Sequence, residues 1–321
     1  FIALVFIIYY GTTTDFVLGG VLNAEKISGM EELLKFVFLL AFVGFGTKAA
    51  VFPMYAWLPA ASVAPTPVTA LLHAVAVVNA GAYAVLRVIY YSFGASFLYG
   101  TWAQTVALLL SCFTILFGST MAVREQHFKR RLAYSTISNL SYMLMGAALM
   151  TPDGMTGSLS HLVIHGVIKI TLFYCAGAIL IKTGKEYVQD LRGYSRIMPA
   201  TCSIFLLGSI ALVGTPPLAG FVSKWNLLTA ASATGLPMGT VAIVCLIISA
   251  ILTAIYLFTA ALPMYFRPLN ADQAQLAGQK LDPSWMMLLP MGILCALMIG
   301  LGLWSQPLVT FLRNIAAGVI F

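Results

Sequence analysis

GSLSHLVIHGVIKITLFYCAGAILIKT, residues 157–183, is long and apolar enough to cross a bilayer as one helix, which takes about 20 residues. Three of its mid-span residues can carry positive charge. His161, His165 and Lys169 fall at i, i+4 and i+8, so they line one face of that helix. Neighbours in the row are about 6 Å apart along the axis, a gap that one or two waters can bridge. Histidine changes charge near neutral pH, and desolvation disfavours a charged amine. A row of such groups is what proton relay through an apolar slab requires. Two histidines at this spacing could instead bind a metal, but no carboxylate or cysteine stands near to complete a site. Bis-histidine haem ligation would need facing helices, for which His73 is the available partner. A hydrogen-bonded core histidine is the bland alternative for any one of the three.

Eight further segments resemble this one in apolarity: about 1–18, 33–60, 66–93, 102–122, 132–151, 200–231, 237–266 and 284–313. The connectors between them are short, the longest being 184–199 and 267–283, so no soluble domain fits. The expectation is an all-α polytopic membrane protein of about nine transmembrane helices in one domain over 1–321. The chain starts at Phe1 inside an apolar run, as a fragment beginning within a membrane helix would, and not as a signal peptide.

Composition agrees. Of 321 residues, 60% are hydrophobic and only 8% are charged, against about 25% in a soluble domain. Mean hydropathy is +0.95. The net charge of +7 sits largely in short loops, where it orients helices and does not signal nucleic-acid binding. The densest basic connector holds Arg124, Lys129, Arg130 and Arg131. Placing it in the cytoplasm puts Lys182, Lys185, Arg192, Arg196, Arg267 and Lys280 there too, and leaves Glu25, Glu31, Glu32 and Asp153 opposite. The five cysteines stand singly in apolar stretches, so iron–sulfur, zinc and haem c sites are unsupported. Phosphate-cradling and dinucleotide glycine motifs are absent. No cofactor and no metal is expected in this chain.

Two segments read as broken helices. The second contains Pro53 and Pro59 in PMYAWLP, and the seventh contains Pro216 and Pro217 in GTPPLAG. Proline removes a backbone donor and clashes with the preceding turn, and free backbone at membrane depth is tolerated only inside protein or along a wet cavity. Each break has a lysine beside it, Lys48 and Lys224 respectively. With Lys169 that makes three mid-segment lysines, each costing about 2.5–3.5 kcal/mol to insert. Snorkelling to the headgroups explains Arg87, near a segment end, better than it explains these three. No Asp or Glu lies deep in any segment, so an acidic partner is expected in residues preceding Phe1 or in another subunit. The polar fifth segment brings Ser135, Ser138, Asn139 and Tyr142 to helical spacing, either to carry water or to join helices.

Four ordered motifs carry a resemblance over nearly the whole chain: KAAVFPMYAWLPAASVAPTPVTALLHA (48–74), KRRLAYSTISNLSYM (129–143), HLVIHGVIKITLF (161–173) and GTPPLAGFVSKWNLL (214–228). Together they resemble the antiporter-like subunits of respiratory complex I, membrane-bound hydrogenases and Mrp sodium/proton antiporters. The resemblance implies an inverted-repeat fold. The end of a first repeat would lie at 1–101, the second repeat at 102–266, and a connector and last helix at 267–321. It implies a proton relay of Lys48, His73, His161, His165, Lys169 and Lys224, with Lys48 paired to a glutamate on an earlier helix. Asn79 departs from the family pattern, where lysine or threonine is frequent.

The function expected is a non-redox, ion-translocating subunit of a larger translocase, such as NADH:quinone oxidoreductase or a membrane-bound hydrogenase. Its partners would be other membrane subunits, with redox subunits among them, and it would move protons. A multisubunit sodium/proton antiporter without redox partners is the second reading, and a polytopic membrane transferase a distant third. The location implied is a bacterial or archaeal cell membrane, or that of an energy-converting organelle.

Overall fold

The structure is a computed structural model that describes residues 1–235, 237–270 and 278–318. The parts of the expected connector and last segment at 271–277 and 319–321 lie outside the described residues. In chain order the helices are α1 (Ile2–Tyr10), α2 (Ala24–Ile27), α3 (Glu31–Gly46), α4 (Trp57–Ala61) and α5 (Thr66–Ala74). Next come α6 (Val77–Arg87), α7 (Ala95–Leu98), α8 (Trp102–Arg124), α9 (Phe128–Ala148) and α10 (Pro152–Thr183). The last five are α11 (Pro199–Val213), α12 (Ala219–Ala233), α13 (Pro237–Phe266), α14 (Trp285–Leu303) and α15 (Gln306–Ala316). Among the described residues there is no strand, only the isolated bridges Gly11–Leu22 and His127–Tyr187.

Five stretches are long and apolar enough to cross a membrane unaided: Thr66–Phe93, Trp102–Arg124, Pro152–Thr183, Pro237–Phe266 and Trp285–Leu303. The chain is an integral, all-helical membrane protein. The remaining segments are shorter or more polar than the apolar pattern suggested. The first helix ends at Tyr10, because the Gly11–Thr–Thr–Thr–Asp15 stretch turns back on itself. Thr12 donates to Val21 O at 2.7 Å, and the Thr13 hydroxyl accepts from the Asp15 backbone at 3.1 Å. The returning strand-like loop is fixed by Val21 N donating to Ser92 O at 3.0 Å.

Helix α10 is the hub, packing on α5, α9, α11, α12, α14 and α15. Its ends are written in local chemistry. The Thr151 hydroxyl caps the Gly154 N–H at 3.1 Å, Pro152 occupies the first turn beside Asp153, and Gly184 closes the last turn at φ 67°. Its apolar residues belong to two clusters. Met155 and Leu159 join a core built largely on α3, α6, α8 and α9. Ile164, Ile168 and Leu172 join a second core with residues of α5, α11 and α14. His161, His165 and Lys169 lie where one cluster gives way to the other.

Candidate functional site

Both proline-rich segments interrupt the helical ladder. Helix α3 stops at Gly46, and turns carry the chain through Pro53 to α4, which contains Pro59. The turn is pinned by Trp57 Nε1–H donating to Thr47 O at 2.9 Å. Pro216 and Pro217 lie between α11 and α12. That second interruption leaves the carbonyls of the last α11 turn without helical donors. Lys224 answers them: its Nζ donates to Leu212 O at 2.7 Å and to Val213 O at 2.9 Å. The ammonium thus sits at the negative end of the α11 dipole, a favourable place for a cation. It also stands 5.5 Å from the centroid of the Tyr142 ring, within cation–π range.

Tyr142 meets the edge of His161 at a centroid distance of 5.4 Å. His161 Nδ1 hydrogen-bonds Ser223 Oγ at 2.9 Å, and its ring stacks on His165 at 5.9 Å. One turn further along α10, Lys169 is fully buried. Its Nζ donates to Leu132 O at 2.9 Å and to the Ser135 hydroxyl. From α5, His73 faces this row and stacks on Phe173 at 4.8 Å. Lys224 and Lys169 therefore flank His161 and His165 in one buried row, with His73 set against it from α5. Lys48 does not join it. Its side chain is exposed, and it makes no ion pair or hydrogen bond with a described residue.

The row is under-satisfied by protein. Both ring nitrogens of His73 and of His165 are buried without a partner, as are His161 Nε2, Tyr142 Oη, Ser141 Oγ, Asn139 Oδ1 and Asn79 Oδ1. Each such group costs about 1–3 kcal/mol if nothing bonds it. A groove of 380 Å³ reaches Lys224 from outside, between the α11–α12 break and α13, with Gly214, Leu228, Leu246 and Ala250 in its walls. Among the described residues, no three of His, Cys, Asp and Glu converge as metal ligands would.

The polar fifth segment divides its labour. Ser135 serves Lys169, whereas Ser138 bonds Ser119 at 2.7 Å and Ser249 at 3.2 Å, tying α9 to α8 and α13. Asn79 spends its amide on the break between α5 and α6, donating to Ala74 O at 2.7 Å. Ser223 and the Leu212 and Val213 carbonyls were not singled out from sequence. The available signals were the serine adjoining Lys224 and the helix end that GTPPLAG implies. The basic connector also differs from a simple headgroup patch. Lys129 is 5% exposed and donates to Ala64 O at 3.2 Å. Arg131 is 3% exposed and clamps Glu125 O, Tyr256 O and Thr259 Oγ1.

The site thus combines a helical membrane fold, two interrupted helices and buried lysines held by backbone carbonyls. Residues 1–253 match the family model described as "NADH:quinone oxidoreductase/Mrp antiporter, TM", and the chain belongs to that family. It is 32% identical over 289 residues to NADH-quinone oxidoreductase subunit N of Desulforudis audaxviator, covering 87% of this chain and 56% of that protein. The chain thus spans little more than half the length of that curated relative. A chain of the Mrp complex from Dietzia sp. superposes with a TM-score of 0.79 at 23% identity, over 98% of this chain and 64% of that one. A chain of the membrane-bound sulfane sulfur reductase, an archaeal respiratory membrane complex, gives 0.80 at 23% identity over 98% and 61%. These two likenesses establish the fold.

Proposed function

We propose that this chain is the ion-translocating part of an antiporter-like subunit, and that protons cross it along Lys224, His161, His165, Lys169 and His73. The observation that carries this is the single buried row in which two lysines flank His161 and His165 and His73 joins from α5, with five of the six histidine ring nitrogens lacking a protein partner. Water bonded to those nitrogens supplies the hops. The groove at Lys224 supplies an opening. Lys48 acts as the switch: an approaching carboxylate from outside this chain stabilises its charge, and withdrawal of that carboxylate sends the proton towards Lys169. Nine crossings, an inverted repeat at 102–266, the end of another at 1–101 and a C-terminal connector and helix at 267–321 belong to the same proposal. So do the cytoplasmic placement of the basic connectors and a bacterial or archaeal cell membrane.

The subunit works within a larger membrane complex and holds no redox centre itself. Our first reading is a redox-driven complex of the NADH:quinone oxidoreductase or hydrogenase kind, supported by the likeness to subunit N. The near-equal likeness to an Mrp chain keeps sodium/proton exchange without redox partners as the second reading. Extraction of the full-length protein in mild detergent separates them: co-purifying redox subunits support the first, and hydrophobic antiporter subunits alone support the second. Lys169→Ala in the intact complex tests the relay, with proton flux expected to fall on the order of a hundredfold. Unchanged flux would mean the protons travel elsewhere.

A further inference from the structure

The loop that follows α10 packs on the end of α13 at one glycine. Gly193, at φ +70°, donates its N–H to Pro263 O at 3.0 Å. A Cβ there would lie 2.7 Å from Leu269 N and 3.1 Å from Arg267 O, so only glycine permits the approach. The contact gathers three arginines around one point. Arg192 precedes Gly193, Arg196 lies one short turn beyond it, and Arg267 ends α13; all three are exposed. None of the three forms an ion pair with a described residue. The far side of the loop is held by Leu281 N donating to Ile197 O at 2.7 Å, which keeps the cluster in place.

Arg267 also closes one end of a groove of 510 Å³ that runs along α13, with Ile255, Phe258, Leu262, Pro263 and Phe266 in its wall. Phe266 is 81% exposed and Leu262 44% exposed. From Ala254 to Arg267 the groove runs about 20 Å at the helical rise. One leaflet of the hydrocarbon core is about 15 Å deep, so the groove matches one leaflet plus the step up to headgroup depth. Its charge lies at one end, and apart from Thr259 the rest is apolar.

We propose that Arg192, Arg196, Arg267 and the α13 groove bind one anionic phospholipid. Guanidinium forks hold the phosphate bidentately, and an acyl chain lies along Ile255, Leu262 and Phe266. A zwitterionic lipid would bring its own cation into the arginine cluster, so the site selects for net negative headgroups. The proposal is independent of the route taken by protons.

The test uses the full-length protein in its native complex, placed in nanodiscs of equal phosphatidylglycerol and phosphatidylcholine. Each lipid in turn carries a photoreactive diazirine on its acyl chain. The phosphatidylglycerol probe is expected to label α13 between Ala254 and Arg267 in preference to the phosphatidylcholine probe. The variant R192Q/R196Q/R267Q should lose that preference on the order of tenfold, and R192K/R196K/R267K should retain most of it. Removing three exposed cations elsewhere on the basic loops, with R124Q/R130Q/K182Q, should leave it intact. Equal labelling by the two probes, or an equal loss in the last variant, would overturn the proposal. So would labelling seen only after neighbouring subunits are stripped away, since the face would then be a protein interface.

Discussion

Lys224 is held inside the protein without a carboxylate because a broken helix offers it two carbonyls. Replacing it by methionine conserves volume and removes the cation from an apolar setting. It also leaves the Leu212 and Val213 carbonyls without their donor, so Lys224→Met is expected to destabilise by about 1–3 kcal/mol. Proton flux in the same variant should fall at least tenfold. Parallel unfolding and flux measurements check this, and a large stability loss with flux retained would assign Lys224 to structure alone. The charge-balance argument from sequence placed an acidic partner in residues preceding Phe1 or in another subunit. Within this chain Lys169 and Lys224 find carbonyl and hydroxyl oxygens, with Leu132, Ser135, Leu212 and Val213 supplying them. Backbone acceptors carry no residue label, which is why the lysines were legible in the sequence and most of their partners were not.

Between elements, close packing aligns the row. A Cβ on Gly146 of α9 would lie 2.4 Å from Leu227 Cδ2 of α12 and 2.6 Å from Ser158 Oγ of α10. Leu227 is three residues from Lys224, so this three-helix contact sets how far Lys224 stands from His161. Gly146→Val should destabilise by about 1–3 kcal/mol through overpacking. Adding Leu227→Ala should recover part of that loss, which a double-mutant cycle of melting temperatures in detergent would read as coupling. A second fastening holds the start of α11. The Asp282 carboxylate accepts from Ala200 N at 3.1 Å, Thr201 N at 3.0 Å and the Thr201 hydroxyl at 2.9 Å. Asp282→Ala should cost about 0.5–2 kcal/mol, the usual worth of a lost cap, and speed protease cleavage between 184 and 199. Unaltered melting and cleavage would show the cap to be ornamental. Helix α10 was readable at its end, Thr183, but it begins at Pro152, five residues before the expected 157, because the Thr151 cap and Pro152 start it ahead of its apolar run. The end of α1 was not, since apolar residues resume at Phe16 beyond the short Gly11–Asp15 turn, whose return is fixed by contacts with residues 90–92.

Across the whole molecule, five stretches are long and apolar enough to cross a membrane, and Lys48 and Lys224 lie beside the two proline-rich interruptions while His161, His165 and Lys169 lie within unbroken α10. Interrupted helices give up backbone hydrogen bonds, and the freed carbonyls become the counter-charge for cations that apolar surroundings would otherwise expel. His73, His161, His165 and Lys169 are buried within this chain, whereas Lys48 is exposed. The account therefore separates two roles: conduction along the row, and control of Lys48 from a neighbour. Reconstituted full-length complex carrying Lys169→Ala or Lys48→Ala, assayed for proton flux across the vesicle membrane, measures that separation directly. Lys169→Ala should abolish flux even when a proton gradient alone drives it. Lys48→Ala should abolish flux driven by the complex while leaving gradient-driven leak through the row detectable. Full gradient-driven flux in the Lys169→Ala complex would contradict the account.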